Sequence, residues 1–458
     1  MDFKGKKVAV IGVGVEGKST LNYLEDKNAK LFLLDQKETL DPEIITLAKS
    51  IGVQLHLGKN YLETVDQFDL IFRSPGVRPD LPELLRAKEA GVRVTSQTKY
   101  FFDTCPCPIV GVTGTKGKGT TATLIFEMLK ADGRKVFLGG NIGQAPLDFL
   151  QKLTGESIVV LELSSFQLID LEKSPQVGVV LMITSEHLDW HQNTSEYIEA
   201  KKPIVKYQSE RDFALVNVDY PTSKEFLAVG GGHKIAVSTK EKLEMGVFIE
   251  KGIIYRNLKS PERVVQVEEV GLIGPHNLEN IVAAVGAASV LEVPLDSIVQ
   301  VVKEFKGLEH RLEFIRETAG VKFYNDSFST TPETAIAAIR SFSEPEILIL
   351  GGSSKNSDFM NLGKEIISRE NLKALILIGQ EGPRIKKAIN TQGEFKGQIL
   401  EGAKSMEEII SQARDVADSG DIVLLSPACA SFDMFKNYKE RGELFKKEVM
   451  NLSLRPLG

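Results

Sequence analysis

Cysteine is scarce in this chain. Cys105, Cys107 and Cys429 are the only three in 458 residues, which excludes a disulfide framework and suits a reducing compartment. Cys105 and Cys107 stand one residue apart, too close for the usual spacing of a zinc-ligand pair. No apolar run approaches ~18 residues, so no membrane-spanning helix is expected. The first residues lack the basic-then-apolar pattern of a secretory signal, and the expected location is the cytoplasm. Nor is there an excess of positive charge. With 56 Lys and Arg against 62 Asp and Glu the formal net charge is −6, which argues against a protein held to nucleic acid by phosphate contacts. The composition, 42% apolar and 26% charged, is that of a globular protein, and the length exceeds what one core supports, so two or three domains are expected.

What is present centres on residues 109–121, IVGVTGTKGKGTT. Ile109 to Val112 reads as a buried parallel strand, Gly114, Gly117 and Gly119 space a turn, and Ala122, Leu124, Ile125, Met128 and Leu129 recur at helical spacing. Strand, glycine turn and helix is the layout that wraps a phosphate. Glycines let backbone N–H groups approach the oxygens, and the helix N-terminus favours an anion. Lys118 would reach the outer phosphates and Thr120 would offer a hydroxyl to Mg²⁺. The common phosphate-loop pattern is not fully met: Val112 replaces its first glycine and Gly119 its Ser or Thr. A flexible basic loop ahead of a helix is the plainer alternative.

Before this stretch, Lys6 to Ile11 reads as a first strand, followed by Gly12-Val13-Gly14-Val15-Glu16-Gly17 and a helix. A second strand, Lys30 to Leu34, leads to Asp35. Alone this is a dinucleotide fingerprint with its ribose-binding acid, and it keeps an NAD(P)-dependent oxidoreductase open as a rival. A further strand runs into Ser74-Pro75-Gly76. After the central glycine loop, an apolar run reaches Glu162 at its end, and the run from Val177 to Ile183 leads to His187. In an open parallel sheet ligands bind beyond the carboxyl ends of strands, so these positions can converge with the glycine loop as Mg²⁺ ligands. Either residue alone reads equally well as a solvated loop residue. Thr194 is a plausible helix cap, and Tyr197, Ala200, Lys201, Ile204 and Val205 follow helical spacing. That puts Lys201 on an apolar stripe, where desolvation lowers an amine's pKa and permits a carbamate, an anionic metal ligand. Periodicity alone favours the alternative, snorkelling to solvent, and Pro203 should kink or restart the helix. Asn277 and Asn280 precede a small-residue helix expected over 281–290 and are candidates for base or phosphate contacts, or turn and cap residues. Beyond a hinge near Lys306 to Arg311, strands again end in polar clusters, with Arg311, Lys355 and Lys436 supplying positive charge.

TGTKGKGTT, GGNIG (139–143), LELSSFQL (161–168), EHLDWH (186–191), GPHN (274–277), GLEHR (307–311), YNDS (324–327) and LLSPACASFDMFKNY (424–438) together resemble the Mur ligase family over nearly the whole chain. The last motif resembles its D-glutamate-adding branch. The resemblance implies an α/β fold of three domains. A Rossmann-like UDP-substrate domain would cover 1–97, a P-loop ATPase-like parallel sheet 98–306, and a Rossmann-like amino-acid-binding domain 307–458. It implies an ATP- and Mg²⁺-dependent ligase, a monomer, acting on UDP-N-acetylmuramoyl-L-alanine and D-glutamate through an acyl phosphate. By the same resemblance, Lys118, Glu162, His187 and Lys201 would be catalytic, and Thr120, Glu162, His187 and carbamylated Lys201 would hold metal. Gly114, Thr115, Lys116, Gly117, Lys118, Gly119, Thr120, Asn277, Arg311 and Asp326 would bind ATP. Gly14, Val15, Gln36, Lys37, Ser74, Pro75, Gly76, Asn141 and His187 would bind the UDP-substrate. Thr330, Lys355, Ser431, Phe432 and Tyr438 would bind D-glutamate. Two departures stand out: Phe328 occupies the place of the family's usual lysine after NDS, and Ser96-Gln97-Thr98 replaces a more acidic stretch. A related ligase for another amino acid is the rival within the class.

Overall fold

The computed structural model describes residues 2–40, 42–184, 190–272, 274, 276–354 and 357–452. Among these residues three sheets form. The first contains β1 (Lys7–Ile11), β2 (Lys30–Asp35), β3 (Gln54–Leu57), β4 (Leu70–Arg73) and β5 (Arg93–Ser96). Its order is β3-β2-β1-β4-β5, and every pairing is parallel. The near-continuous apolar runs of β1, β2 and β4 follow from helices covering both faces. Strand order reverses between β1 and β4, so the loops that leave them diverge and open a crevice. At Gly17, in the helix Val15–Leu24, a Cβ would lie 2.1 Å from the Gly12 carbonyl oxygen, so only glycine lets helix and loop meet.

The second sheet contains β6 (Ile109–Thr113), β7 (Val136–Gly140), β8 (Ile158–Glu162), β9 (Val177–Val180), β10 (Phe213–Asn217), β11 (His233–Ser238), β12 (Gly246–Glu250), β13 (Ile253–Asn257) and β14 (Pro261–Gln266). Its order is β14-β13-β12-β11-β10-β9-β6-β8-β7. β6 to β12 run parallel, and β13 and β14 add an antiparallel edge. β6 lies between β8 and β9, with all five residues buried.

These two sheets belong to one compact unit, Met1–Val270 with Asn277–Lys303. One apolar cluster runs through both, from Val8, Leu21 and Phe72 to Ile109, Leu161 and Val180. Polar contacts join them too. Arg73, fully buried at the end of β4, pairs with Asp170 at 2.8 Å, and the Ser19 hydroxyl donates to Asp148 at 2.6 Å.

The second unit is Gly271–His276 with Glu304–Gly458. Its sheet contains β15 (Glu313–Thr318), β16 (Val321–Asn325), β17 (Glu346–Gly351), β18 (Leu372–Ile378), β19 (Gln398–Glu401) and β20 (Ile422–Leu425), in the order β15-β16-β20-β17-β18-β19. Only the β15–β16 pairing is antiparallel. No helix among the described residues is long and apolar enough to cross a membrane.

Local expectations fail in two places. Thr194 is not a cap: the Asn193 side chain accepts from the Glu196 N–H, and the helix Thr194–Glu199 stops before Lys201. Pro203 starts a second short helix, Pro203–Lys206, because its fixed φ suits a first turn and its missing N–H does not suit a helix interior. The small-residue helix spans His276–Val290, so Asn277 and Asn280 sit in its opening turns rather than ahead of it.

Glu346, the first residue of β17, is wholly buried, and neither carboxylate oxygen has a hydrogen-bond partner among the described residues. Burial pushes its pKa up to about 8; Arg369 opposes this and Glu344 adds to it. Above the ordinary glutamate value the unfolded chain releases this proton while the folded chain keeps it. Stability therefore falls as pH rises from that value through about 8. Glu346→Gln is expected to raise the melting temperature by on the order of 5 °C at about pH 9 and to change it little at about pH 4. Calorimetry at the two pH values checks this, and an equal effect at both would contradict it.

Candidate functional site

The crevice of the first sheet is a cleft of ≈ 750 Å³. It is lined by Gly14, Val15, Gln36, Lys37, Ser74, Pro75 and Gly76, which the sequence assigned to one ligand. Asp35 does not present a free carboxylate to a ribose. One oxygen accepts from the Val13 N–H at 3.2 Å and the other from the Lys37 N–H at 3.0 Å, so the acid shapes the loops instead. Among the other lining residues, Glu16 and Trp190 lie within quoted motifs but had no role assigned, and Arg78 lies in none. Glu16 accepts from the Gln167 side chain at 2.6 Å, and its second oxygen is buried with no hydrogen-bond partner among the described residues. Burial pushes this carboxyl up to about 7, against the Gln167 hydrogen bond and the Arg73 charge.

The glycine loop leaves β6, and its helix spans Lys118–Ala131. Gly117 caps that helix with φ 84°, a left-handed conformation. A Cβ there would lie 2.0 Å from the Asn280 side-chain oxygen. Asn280 itself accepts from the Thr121 hydroxyl at 3.3 Å and donates to the Asn277 oxygen at 2.9 Å. Asn280 thus latches the loop, and Asn277 buttresses Asn280. Lys118 Nζ arches back to the carbonyls of Gly114 and Thr115, at 3.1 and 3.0 Å. Thr115 is buried; its hydroxyl meets the Tyr197 hydroxyl at 3.0 Å and accepts from the Thr184 N–H at 2.9 Å. Gly119 and Thr120 are buried in the first helical turn, whereas Lys116 is exposed.

Lys201 is 1% exposed, so the snorkelling that periodicity alone favoured does not occur. Nζ donates to the Gly114 carbonyl at 3.1 Å, reaches the Thr113 hydroxyl at 3.4 Å and lies 4.6 Å from the Tyr197 ring centre. Two lysines from different elements therefore converge on the carbonyls of one loop. Glu162 ends β8, and its register partner is Val112 in β6. One Glu162 oxygen accepts from Asn141 at 3.0 Å, and the other has no hydrogen-bond partner among the described residues. Asn141 thus orients Glu162. A hydroxyl at Thr120, a carboxylate oxygen at Glu162 and a carbamate on Lys201 are hard oxygen donors of the kind Mg²⁺ takes, and the available Glu162 oxygen fits such a role. An unmodified ammonium at Lys201 does not ligate. His187 lies outside the described residues.

In the second unit, β16, β20 and β17 are neighbours, and their carboxyl ends carry Asp326 to Thr330, Ser426 to Asp433, and Gly352 onward. Asp326 is buried and its pKa is pushed up to about 6 by that burial. It accepts from the Leu312 N–H at 3.1 Å, from Ser426 at 2.8 Å and from Ser329. Arg311 stacks over Phe328 at 5.0 Å, and the Phe328 ring meets Tyr438 edge-on at 5.3 Å. Ser431 is buried, Phe432 is 72% exposed, and the Phe432 N–H donates to Ser353 at 3.1 Å, joining the loops after β17 and β20. Thr330 is half-buried on the loop after β16, and Lys355 lies outside the described residues. The fully buried Arg441 was not foreseen. It donates to Ser327 at 2.9 Å and to the carbonyls of Cys429 and Ala430, and burial pulls its pKa down to about 10.

Family models match three consecutive segments: a Mur ligase MurD-like N-terminal domain over 6–96, a Mur ligase middle domain over 112–288, and a Mur ligase glutamate ligase domain over 310–429. The chain is 41% identical over 455 residues to the UDP-N-acetylmuramoylalanine–D-glutamate ligase of Acetivibrio thermocellus, covering 98% of this chain and 97% of that one. The chain belongs to the Mur ligase family. A second Mur ligase of the same name, from Clostridium tetani, is 41% identical over 450 residues, with 98% and 97% coverage. The fold is also that of the MurF ligase of Thermotoga maritima, solved in complex with ADP. The TM-score is 0.58 at 19% identity, over 98% of this chain and 96% of that one.

In this Mur ligase the Gly117–Asn280 contact allows no side chain. Gly117→Ala is expected to weaken binding of a non-hydrolysable ATP analogue by about 10-fold or more. Gly133→Ala, at φ 76° with nothing within 4 Å of the added carbon, is the control with unchanged binding. Equilibrium dialysis checks both, and equal binding by the two variants would contradict the assignment.

Proposed function

We infer that this chain is the ATP-dependent ligase that joins D-glutamate to UDP-N-acetylmuramoyl-L-alanine in cytoplasmic peptidoglycan precursor synthesis. The full-length relatives carry that name. The observation that carries the mechanism is the meeting of Lys118 and Lys201 on the carbonyls of the Gly114–Thr115 turn, with Glu162 on the adjacent strand end. The cleft beside β1 and β4 suits the diphosphate of the UDP-substrate: Gly14 and Val15 open a helix, and Lys37 adds charge. Asp35, already bonded to backbone, disfavours the dinucleotide reading.

A carboxylate is a poor electrophile. Attack of its oxygen on the γ-phosphorus of ATP breaks the bond to the β-phosphate bridging oxygen, releases ADP and leaves an acyl phosphate. The D-glutamate amine then attacks the carbonyl carbon, phosphate departs with the bonding pair, and the amine loses a proton. The difficulty is holding two anions in line. Lys118 and the helix start at Gly117 hold the phosphates, and Asn280 fixes the loop that carries them. Mg²⁺, held by Thr120, Glu162, His187 and a carbamylated Lys201, would offset the charge of the transferring group. Asn277, Arg311 and Asp326 would contact ATP, and Thr330, Lys355, Ser431, Phe432 and Tyr438 would receive D-glutamate. Phe328 supplies no charge there; it holds the Arg311 guanidinium by stacking.

A phosphate-release assay with UDP-N-acetylmuramoyl-L-alanine, ATP and a panel of amino acids tests the reading. D-glutamate alone should support turnover. Turnover with another amino acid instead would overturn it. Lys118→Ala and Lys201→Ala are each expected to lower kcat by on the order of 10²–10³. Short carboxylic acids should restore part of the activity of Lys201→Ala by replacing the carbamate, and normal turnover by Lys118→Ala would end the phosphate assignment.

A further inference from the structure

Arg78 lies on the lip of the cleft, just beyond Ser74-Pro75-Gly76, and ties together segments far apart in sequence. Its guanidinium donates to the Trp190 carbonyl at 2.7 Å, to Glu196 at 2.7 Å and to Asp80 at 2.7 Å, and lies 4.9 Å over the Trp190 ring. Two carboxylates already balance its charge, so it is not a cation awaiting a phosphate. Trp190, the only tryptophan in the chain, also lines the cleft, and its indole N–H donates to the Gly76 carbonyl at 2.9 Å. Glu196 lies on the helix Thr194–Glu199. The next residue is Tyr197, whose hydroxyl meets Thr115 of the glycine loop and whose ring lies against the Lys201 ammonium. One guanidinium therefore connects the lip of the nucleotide cleft to the helix that builds the phosphate loop's surroundings.

We propose that Arg78 is a positioning residue: through Trp190 and Glu196 it sets the span between the diphosphate cleft and the glycine loop, and so places the carboxylate of a long UDP-sugar substrate for attack. The proposal rests on reading the cleft as the UDP-substrate site. A substrate anchored by its diphosphate and reacting at its far end is sensitive to that span, because a small displacement of reacting atoms costs much of the rate. The role needs arginine. A planar fork can stack on an indole while bonding a carbonyl and two carboxylates, and a lysine ammonium cannot.

The test combines kinetics with Trp190 fluorescence on the full chain. In Arg78→Ala, kcat with UDP-N-acetylmuramoyl-L-alanine should fall about 10²-fold while the dissociation constant of UDP changes by less than about 3-fold. Quenching of Trp190 by acrylamide should rise. Arg78→Lys should rescue neither kcat nor the shielding of Trp190. Glu196→Gln, which weakens one leg of the tie and keeps the arginine, should shift kcat in the same direction with UDP binding kept, and serves if Arg78→Ala does not fold. Unchanged kcat in both folded variants would overturn the proposal, as would full recovery by Arg78→Lys. Loss of UDP binding without a fall in kcat would also overturn it, making Arg78 a plain binding residue. If the wild-type chain neither binds UDP nor turns over, the reading of the cleft falls first and this proposal falls with it.

Discussion

The ammonium of Lys201, enclosed at the root of the glycine loop, is the interaction around which that loop and its neighbours are arranged. A buried charge must be met by polar groups, and here the Gly114 carbonyl and the Thr113 hydroxyl meet it from within the loop itself. Lys118 binds the same carbonyl and the next one. With its carbonyls facing two lysines, the loop turns its backbone N–H groups and the start of the helix Lys118–Ala131 toward an anion. Tyr197 completes the enclosure, bonding Thr115 with its hydroxyl and facing Lys201 with its ring. The same lysine conditions the metal chemistry, since only its carbamate form offers oxygen ligands.

The second constraint is the join between the first two sheets. A cleft that holds one end of a substrate is useful only if the reacting end arrives at a fixed place. Arg73 with Asp170, Glu16 with Gln167, and Arg78 with Trp190 and Glu196 join the two sheets through polar contacts at separate points around the cleft. Substrate reach is then set by protein geometry, and less entropy is lost in aligning the reactants. The second unit has a strand-end edge of its own, where Arg441 gathers the carbonyls after β20 and Arg311 rests on Phe328.

Much of this was legible in the sequence, for a definite reason. A strand, a glycine turn and a helix are adjacent in the chain, so 109–131 reads locally, as do the repeated apolar runs ending in polar clusters. Spacing put Lys201 on an apolar stripe but favoured snorkelling, and only the family resemblance pointed to a buried role; the helix behind the spacing breaks at Pro203. The cleft residues were grouped by family resemblance, and the structure brings Gly14, Val15, Gln36, Lys37 and Ser74 to Gly76 together. Asn280, Arg78 and Arg441 were not legible in these roles. Their partners lie 159, 112 and 114 residues away, and a contact across such a separation leaves no periodicity to find. Asn141, expected on the substrate, binds Glu162 across two adjacent strand ends, a pairing fixed by sheet order that the sequence did not show.

The central claim is that the nucleotide's terminal phosphate and the substrate's carboxylate meet at the glycine loop after β6 and exchange a bond there. Isotope transfer tests this most directly. UDP-N-acetylmuramoyl-L-alanine carrying ¹⁸O in its alanyl carboxylate is turned over with ATP and D-glutamate, and the released phosphate is analysed by mass. The account predicts one labelled oxygen in each phosphate formed from fully labelled substrate. Phosphate without label, formed at the same rate as the amide product, would contradict it.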